Sequence, residues 1–414
     1  MTEINQPMSD MPNLLRSERT LTQQIVVRVF RSLLVKVCTG YLILLCLIAV
    51  FVPFIANGVP YTMVISGAPG QPAVRVFPLF RDLASVDLIL LVVAAGLAVY
   101  MVIHFWTRKE KTLPRVRHRR TWFLWLTAAA TVASILIAIF HQNRLDALDY
   151  RDMAASGQVS GAVFAPIHWG YADEEPLSAD LINQMPNSRH LLGTDTAGRD
   201  IFSRLLWSAR IAMGVGFVSQ IIALILGILF GALNGYFSGV VDILGMRVVE
   251  IVESIPLFFL ILTFVAIYGR DIIMIMVIIG ITSWTGYARL LRAEFLRIRQ
   301  IDYVTAARAG GIPLWRILFK HILPNGLTPV LVSASFGFAS AVSIESMLSY
   351  LGVGVAPPTP SWGDMLNSAG NPAVVFHWWQ ALFPGFLLFL TILTFIKIGE
   401  SLRDAIDPTS LERG

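Results

Sequence analysis

The chain is poor in charge. Of its 414 residues only 14% are charged, against 55% hydrophobic, and the mean hydropathy is +0.66. A soluble domain averages about 25% charged residues, so a soluble class is excluded and a membrane class is indicated. Lysine is scarce: only Lys36, Lys109, Lys111, Lys320 and Lys397 occur, and none follows a glycine. A P-loop needs G-K-[ST] so that its lysine reaches the β and γ phosphates. ATP hydrolysis by that route is therefore excluded. None of the 7 histidines precedes a glutamate, so there is no H-E-x-x-H zinc helix, and no G-x-S-x-G elbow occurs. Cysteine is limited to Cys38 and Cys46, in one apolar run. On a helix they lie about 12 Å apart along the axis, at about 1.5 Å per residue. A disulfide needs Cα atoms within about 7 Å. Two thiols also make no metal cage, and both read as small hydrophobes. The net charge of +5 sits beside apolar spans and forms no polar basic face, so no nucleic-acid partner is expected.

Long apolar runs are what the chain has instead. A helix crosses a bilayer core of about 30 Å with about 20 apolar residues. Eight segments qualify: 37–56, 86–106, 122–140, 211–233, 248–268, 272–291, 328–350 and 383–400. The expected fold is an all-α, polytopic membrane bundle of about eight spans, with no sign of the period-two alternation of a barrel. Residues 1–36 are polar, with Pro7, Pro12 and five basic residues, and the run that follows is too long for a signal-peptide core. It is expected to be a retained span. Segments 1–36, 107–120, 234–247, 289–325 and 397–414 hold most of the 32 basic residues. By the positive-inside rule they face the cytoplasm, as do both termini. The long regions 141–210 and 351–382 then lie outside. The second carries GVGVAPPTPSWGDM (352–365), whose prolines and glycines oppose a regular helix.

One cytoplasmic stretch breaks the pattern: DYVTAARAGGIPLWRILFKHILPN (302–325). Asp302 is placed to cap a helix running to 309. Gly310 and Gly311 supply left-handed conformations that end it. Pro313 starts a second helix with Leu314, Ile317, Leu318 and Ile322 on one side and Arg316 and Lys320 on the other. Pro324-Asn325-Gly326 is expected to stop it. Two readings fit this helix–elbow–helix. It is a surface loop that snorkels its cations, or it is a docking surface in which Ala306, Ala307 and the glycines allow close approach.

This stretch resembles the EAA loop of ABC-importer permease subunits, with Thr305-Ala306-Ala307 at the E-A-A position, Gly311 as its glycine and Leu323-Pro324 at its end. Thr305 replaces the usual glutamate, and Gly310 sits where a larger apolar residue is common. HLLGTDTAGRDIFSRLLWSAR (190–210), NGYFSGVVDILGMRVVEIVESIP (234–256), WTGYARLLRAEFL (284–296), LSYLGVGVAPPTPSWGDML (348–366) and LRDAIDP (402–408) are similar to the dipeptide, oligopeptide and nickel branch, second-permease (C) type. The likeness covers about 187–409. VFAPIHWG (163–170) is similar to permeases for larger peptides and microcin-type compounds.

The resemblance implies a fold of the type I importer kind, with a permease core at 187–409 holding five spans and the coupling loop 302–324. Residues 57–186 would be an outside segment interrupted by an extra helical pair, 86–106 and 122–140, with a basic cytoplasmic loop. It implies a non-catalytic transport subunit of the bacterial inner membrane, surrounded by lipid. The partners implied are a second permease, two ABC ATPase subunits and an extracytoplasmic binding protein. This chain would hold no cofactor or metal, with ATP and Mg²⁺ in the ATPases. Asp302, Tyr303, Thr305, Ala306, Ala307, Arg308, Gly311, Leu323 and Pro324 would form the ATPase contact. Gly193, Thr194, Asp195, Gly198, Arg199 and Asp200 form the outer motif, either a salt-bridged loop cap or a contact for the delivery protein.

Two stripes of period four complete the picture. Gly227, Gly231, Gly235 and Gly239 suit close helix packing. Gly337, Ala341, Glu345 and Ser349 carry an acid into the membrane, where ionisable groups face a cavity or a partner. Glu345 and Ser349 either line the transport path or bond a neighbouring helix. Glu250 and Glu253, beside Pro256, suit an interface or a gate. The rival functions are a self-contained channel or secondary transporter, for which an inverted repeat is missing, and an intramembrane enzyme, for which no catalytic pair is found.

Overall fold

The computed structural model describes residues 26–65, 74–107, 113–141, 150–156, 159–174, 182–370 and 375–406. LRDAIDP runs past their end, and residues 1–25 of the N-terminal segment and 108–112 of the basic loop lie outside them. Seven of the eight expected apolar segments fall on a single helix each, and 248–268 is divided between two. In chain order the helices are α1 (Leu33–Ile55), α2 (Pro78–Asp82), α3 (Ser85–Thr107), α4 (Leu113–Phe140), α5 (Tyr150–Ala155), α6 (Ile201–Phe237), α7 (Gly239–Ser254) and α8 (Leu257–Tyr268). They continue with α9 (Ile272–Ile298), α10 (Asp302–Ala309), α11 (Leu314–Arg316), α12 (Leu323–Tyr350), α13 (Trp362–Gly370) and α14 (Trp378–Ile406). Among the described residues six helices are long and apolar enough to cross a membrane, or up to seven with one bent pair. Two expected spans account for the difference. Within α4 the apolar stretch is only Trp125–Ile139. Segment 248–268 is broken into α7 and α8, bent by 70°. Pro256 lacks an N–H and pushes Ile255 into extended backbone (φ −90°, ψ 114°), which ends α7 there.

The bundle is built around the pair α6 and α9. Gly227, Gly231 and Gly235 make that contact possible. A methyl at Gly231 would stand 2.7 Å from the carbonyl oxygen of Ala288, and one at Gly235 would stand 2.6 Å from Cβ of Phe295. The fourth glycine of the stripe departs from the expectation: a methyl at Gly239 would meet nothing within 4 Å, and the residue serves the α6–α7 turn with φ +60°. Opposite, Gly337 of α12 makes room for the Tyr287 hydroxyl, which donates to Gln220 of α6 at 2.5 Å. Burial follows this geometry. Leu291, Phe295, Val304, Ile317, Ile322 and Val330 form one core toward the elbow. Ile201, Leu205, Phe338, Trp362 and Trp379 form another toward the opposite end.

Outside the bundle the chain makes a small sheet that the sequence reading did not foresee: β1 (Thr62–Ile65), β2 (Val74–Val76) and β3 (Val159–Val163), antiparallel in the order β2-β1-β3. The strands are three to five residues long, too short for alternation to register. Strands β1 and β3 flank the helical pair α3–α4 and bond to each other across it. Its base is closed as well, since the His141 ring Nε2 and the Leu83 carbonyl are 2.8 Å apart. At the same end the Arg210 guanidinium of α6 pairs with the buried Asp87 of α3.

Candidate functional site

The elbow is anchored on one side and open on the other. Ile301, and not Asp302, occupies the N-cap of α10, and no side chain caps it. Asp302 is the first helical residue, where its charge still suits the helix dipole. Only Gly311 is left-handed (φ +73°), whereas Gly310 keeps φ −76°. One left-handed residue reverses the chain, and the Ile312 amide closes the turn on the Ala307 carbonyl at 3.2 Å. Pro313 then caps α11. The expected stop at Pro324-Asn325-Gly326 does not occur. Residues Ile317–Ile322 form a π-helical turn, with the Leu323 amide donating to the Leu318 carbonyl, and the chain runs straight into α12. A proline offers no N–H and needs the carbonyl four residues back displaced. The widened turn before Pro324 meets both needs.

Val304, Ile317 and Ile322 are buried against the α9 core. Tyr303 is tied down as well: its hydroxyl donates to the His321 carbonyl and accepts from Asn325 Nδ2 at 3.2 Å. Outward stand Tyr303, Thr305, Ala306, Arg308, Leu314, Trp315 and Phe319, with Trp315 at 60% and Phe319 at 65% exposure. Leu314 was expected on the buried side but is 39% exposed. Ala307 and Leu323 are half-buried against the core, and Pro324 is exposed. The small-residue surface is therefore made by Ala306, Gly310 and Gly311. Behind the elbow, α9 holds α7 through Arg292–Asp242 (Nη2–Oδ2 2.6 Å) and Arg289–Glu253. Glu250 pairs with Arg247 on its own helix at 2.5 Å.

The outer motif folds onto itself as a latch. Asp195 accepts from the Ala197 and Arg199 amides at 2.9 and 3.0 Å and pairs with the Arg199 guanidinium at 2.9 Å. Asp200 caps α6 through the Ser203 amide at 2.7 Å and holds His190 Nδ1 at 2.9 Å. Gly193 (φ +83°) and Gly198 (φ +74°) take left-handed turns. Thr194 is fully buried, and its carbonyl accepts from Gln380 of α14 at 3.0 Å. Arg204, one turn into α6, reaches Asp364 of α13 at 3.1 Å and stands 3.5 Å from Asp195. Burial pushes the Asp364 carboxyl above its ordinary range, and Arg204 pulls it partly back. The sequence reading gave no role to His190, Arg204, Asp364 or Gln380. The i,i+4 spacing of Asp200 and Arg204 was visible, but Asp364 and Gln380 arrive only through tertiary packing.

Glu345 is 1% exposed. Its carboxylate accepts from Ser349 Oγ at 2.7 Å and Ser346 Oγ at 3.3 Å, and Ser349 Oγ also accepts from the Val355 amide at 3.4 Å. In this conformation Glu345 and Ser349 join α12 to the loop after it. No cluster of His, Cys, Asp or Glu suited to a metal occurs among the described residues, and both cysteines are free.

A bundle of long apolar helices carrying an anchored elbow defines a polytopic membrane protein. Residues 223–410 match the family of binding-protein-dependent transport system inner membrane components. The chain is 38% identical to the glutathione transport system permease protein GsiD of Pectobacterium atrosepticum, covering 58% of this chain and 79% of that protein. It is 41% identical to the di/tripeptide permease DppC of Pseudomonas aeruginosa (53% and 73% covered) and 34% identical to the oligopeptide permease OppC of Bacillus subtilis (60% and 80%). A membrane chain of the inward-facing MetNI methionine ABC transporter superposes with a TM-score of 0.41 at 17% identity, over 49% of this chain and 97% of that one. The chain belongs to the ABC-importer permeases of the dipeptide/oligopeptide branch.

Proposed function

We propose that the chain is one of two permease subunits of an ATP-driven importer for peptides or peptide-like compounds. Relatives named for glutathione, di- and tripeptides and oligopeptides support that substrate class. The observation that carries the mechanism is the elbow. Val304, Ile317 and Ile322 fix it to α9 and α12, while Leu314, Trp315 and Phe319 present a 39–65% exposed apolar face beside the small residues Ala306 and Gly311. An aromatic face that is rigidly mounted and exposed suits the groove of a separate ATPase, with aromatic side chains as anchors. A push on it passes through the continuous π turn into α12, and from α12 to the stripe that carries Glu345.

Two ATPases, a second permease and an extracytoplasmic binding protein complete the assembly in this reading, and ATP and Mg²⁺ belong to the ATPases. Both termini and the elbow face the cytoplasm, and the latch faces outward. A rigid, ion-paired latch gives the delivery protein a fixed edge, with Arg199 at its half-buried rim. The chain itself makes and breaks no bond. It holds the substrate path and changes the side to which that path opens, and a ligand shifts the balance only by binding the two states unequally.

Trp315→Ala with Phe319→Ser tests this reading. Loss of aromatic anchors costs an interface about 2 kcal/mol or more. ATP-driven uptake of labelled peptide into proteoliposomes holding the assembled transporter should fall by about tenfold or more, with membrane insertion unchanged. Undiminished uptake overturns the docking role.

A further inference from the structure

A cavity of about 730 Å³ opens beside the elbow, lined by Tyr236, Phe237, Arg299, Gln300, Thr305 and Arg308. It lies where α6 and α9 end and α10 begins. Its chemistry is one-sided: two guanidinium groups, one hydroxyl, one amide, one phenol and no carboxylate. Arg299 spends one N–H on the Tyr236 carbonyl at 2.9 Å, and Arg308 lies over the Tyr236 ring, 5.5 Å from its centroid, with one long hydrogen bond to the Tyr236 hydroxyl at 3.4 Å. Each guanidinium has five N–H donors, so most are left for a ligand. No carboxylate pairs with either arginine among the described residues. The acid on the neighbouring helix, Asp242, is taken by Arg292 in a two-pronged pair.

The surroundings say which anion fits. Phe237, at the lip, is 48% exposed, and the helix that follows exposes Val240 (71%), Val241 (46%), Ile243 (62%) and Leu244 (62%). A greasy helix face therefore runs up to a pocket of arginines at the ends of two helices long and apolar enough to cross a membrane. With the elbow on the cytoplasmic side, as proposed above and on which this inference rests, the pocket falls near the level of lipid headgroups, where basic pockets between helices hold anionic headgroups. Two arginine forks offer the paired N–H bonds that phosphate oxygens accept. The volume suits a glycerophosphate headgroup, being within the range of small-ligand pockets. We infer that this cavity binds the phosphodiester of an anionic phospholipid, held by Arg299 and Arg308 with Thr305 and Gln300 as polar neighbours and the acyl chains along α7. The bound headgroup would brace α10 of the elbow on the side that exposes Thr305 and Arg308.

The test uses the full chain in detergent, without ATPases, so that its result is independent of docking. Native mass spectrometry compares retained phosphatidylglycerol with retained phosphatidylcholine. Preferential retention of phosphatidylglycerol is expected. Arg299→Gln with Arg308→Gln should weaken it about tenfold or more, Arg299→Lys with Arg308→Lys should lose less, and Arg270→Gln, beside the opposite end of α9, should lose nothing. Equal retention of the two lipids, or equal loss in the Arg270 variant, overturns the site. Displacement of the lipid by millimolar inorganic phosphate would make it a site for free phosphate and overturns the lipid assignment. Retention that survives the double Gln substitution also overturns it, and leaves the arginines for a partner protein's carboxylate.

Discussion

Gly231 has a hydrogen where any other residue would press a methyl against the Ala288 carbonyl oxygen, 2.7 Å away. Overpacking a tight core costs about 1–3 kcal/mol, so Gly231→Val should lower the thermal midpoint of the purified protein. Gly286→Ala is the contrast. Nothing lies within 4 Å of its added methyl, and Ala gains about 1 kcal/mol of helix propensity over Gly, so that variant should be neutral or slightly stabilised. At the elbow the same logic separates two adjacent glycines. Gly311 (φ +73°) should lose part of coupled uptake on change to Ala, by left-handed strain of about 1–2 kcal/mol. Gly310 (φ −76°) should tolerate Ala. An uptake assay in which both behave alike contradicts this. Period four made the stripe from Gly227 legible in the sequence because packing glycines repeat with the helix. The conformation of each elbow glycine was not legible, because either could have carried the turn. His190 was equally silent, since a buried histidine is defined by the Asp200 it meets and not by its neighbours in the chain.

Two prolines show what separates a break from a continuation. Pro256 ends α7 and turns the chain by 70°, whereas Pro324 is absorbed by a π turn. Composition alone treats them alike. The outer latch is a tertiary element of the same kind: its acids were visible in G-T-D-x-x-G-R-D, but its central cation, Arg204, is defined by Asp364, 160 residues away. Breaking a fully buried pair from one side costs about 3–5 kcal/mol, and this pair, with Arg204 buried and Asp364 half-buried, lies at or below the low end of that range. Arg204→Met should therefore destabilise the chain, and the deficit should depend on pH. Burial raises the Asp364 carboxyl above its ordinary value and Arg204 lowers it. A group whose folded pKa lies above its unfolded value gives stability at low pH and loses it as pH rises. Removing Arg204 widens that window, so the variant's thermal midpoint should fall further below the parent's at pH 8 than at pH 5. A deficit independent of pH contradicts the pairing.

At the scale of the whole molecule, the helical pair α3–α4 is an outgrowth with a narrow base. The α3 span is only 6% buried, and its ends meet at the 2.8 Å contact of His141 with the Leu83 carbonyl. A linker of about three residues covers roughly 10 Å. Replacing 85–140 by such a linker, with Arg210→Gln to retire the partner of Asp87, should leave a chain that inserts and supports uptake. Failure to accumulate in the membrane would show that the pair is structural. Most of the apolar spans were legible because a span is a matter of length and composition, whereas the segment in α4, read as a span, keeps only Trp125–Ile139 as its apolar stretch. The sheet that closes over the pair was not, because short strands carry no period.

The central claim is that the elbow meets an ATPase, and a single cysteine addresses it. Ala306, exposed between Thr305 and Ala307, is changed to Cys in a Cys38→Ser, Cys46→Ser background. The chain is co-expressed with neighbouring ATPase subunits, and a short thiol crosslinker is added with and without ATP. A crosslink to the ATPase whose yield changes with ATP is the predicted result. The contradicting result is no crosslink and no co-purifying ATPase, with the same thiol labelled freely by a water-soluble reagent in inverted vesicles.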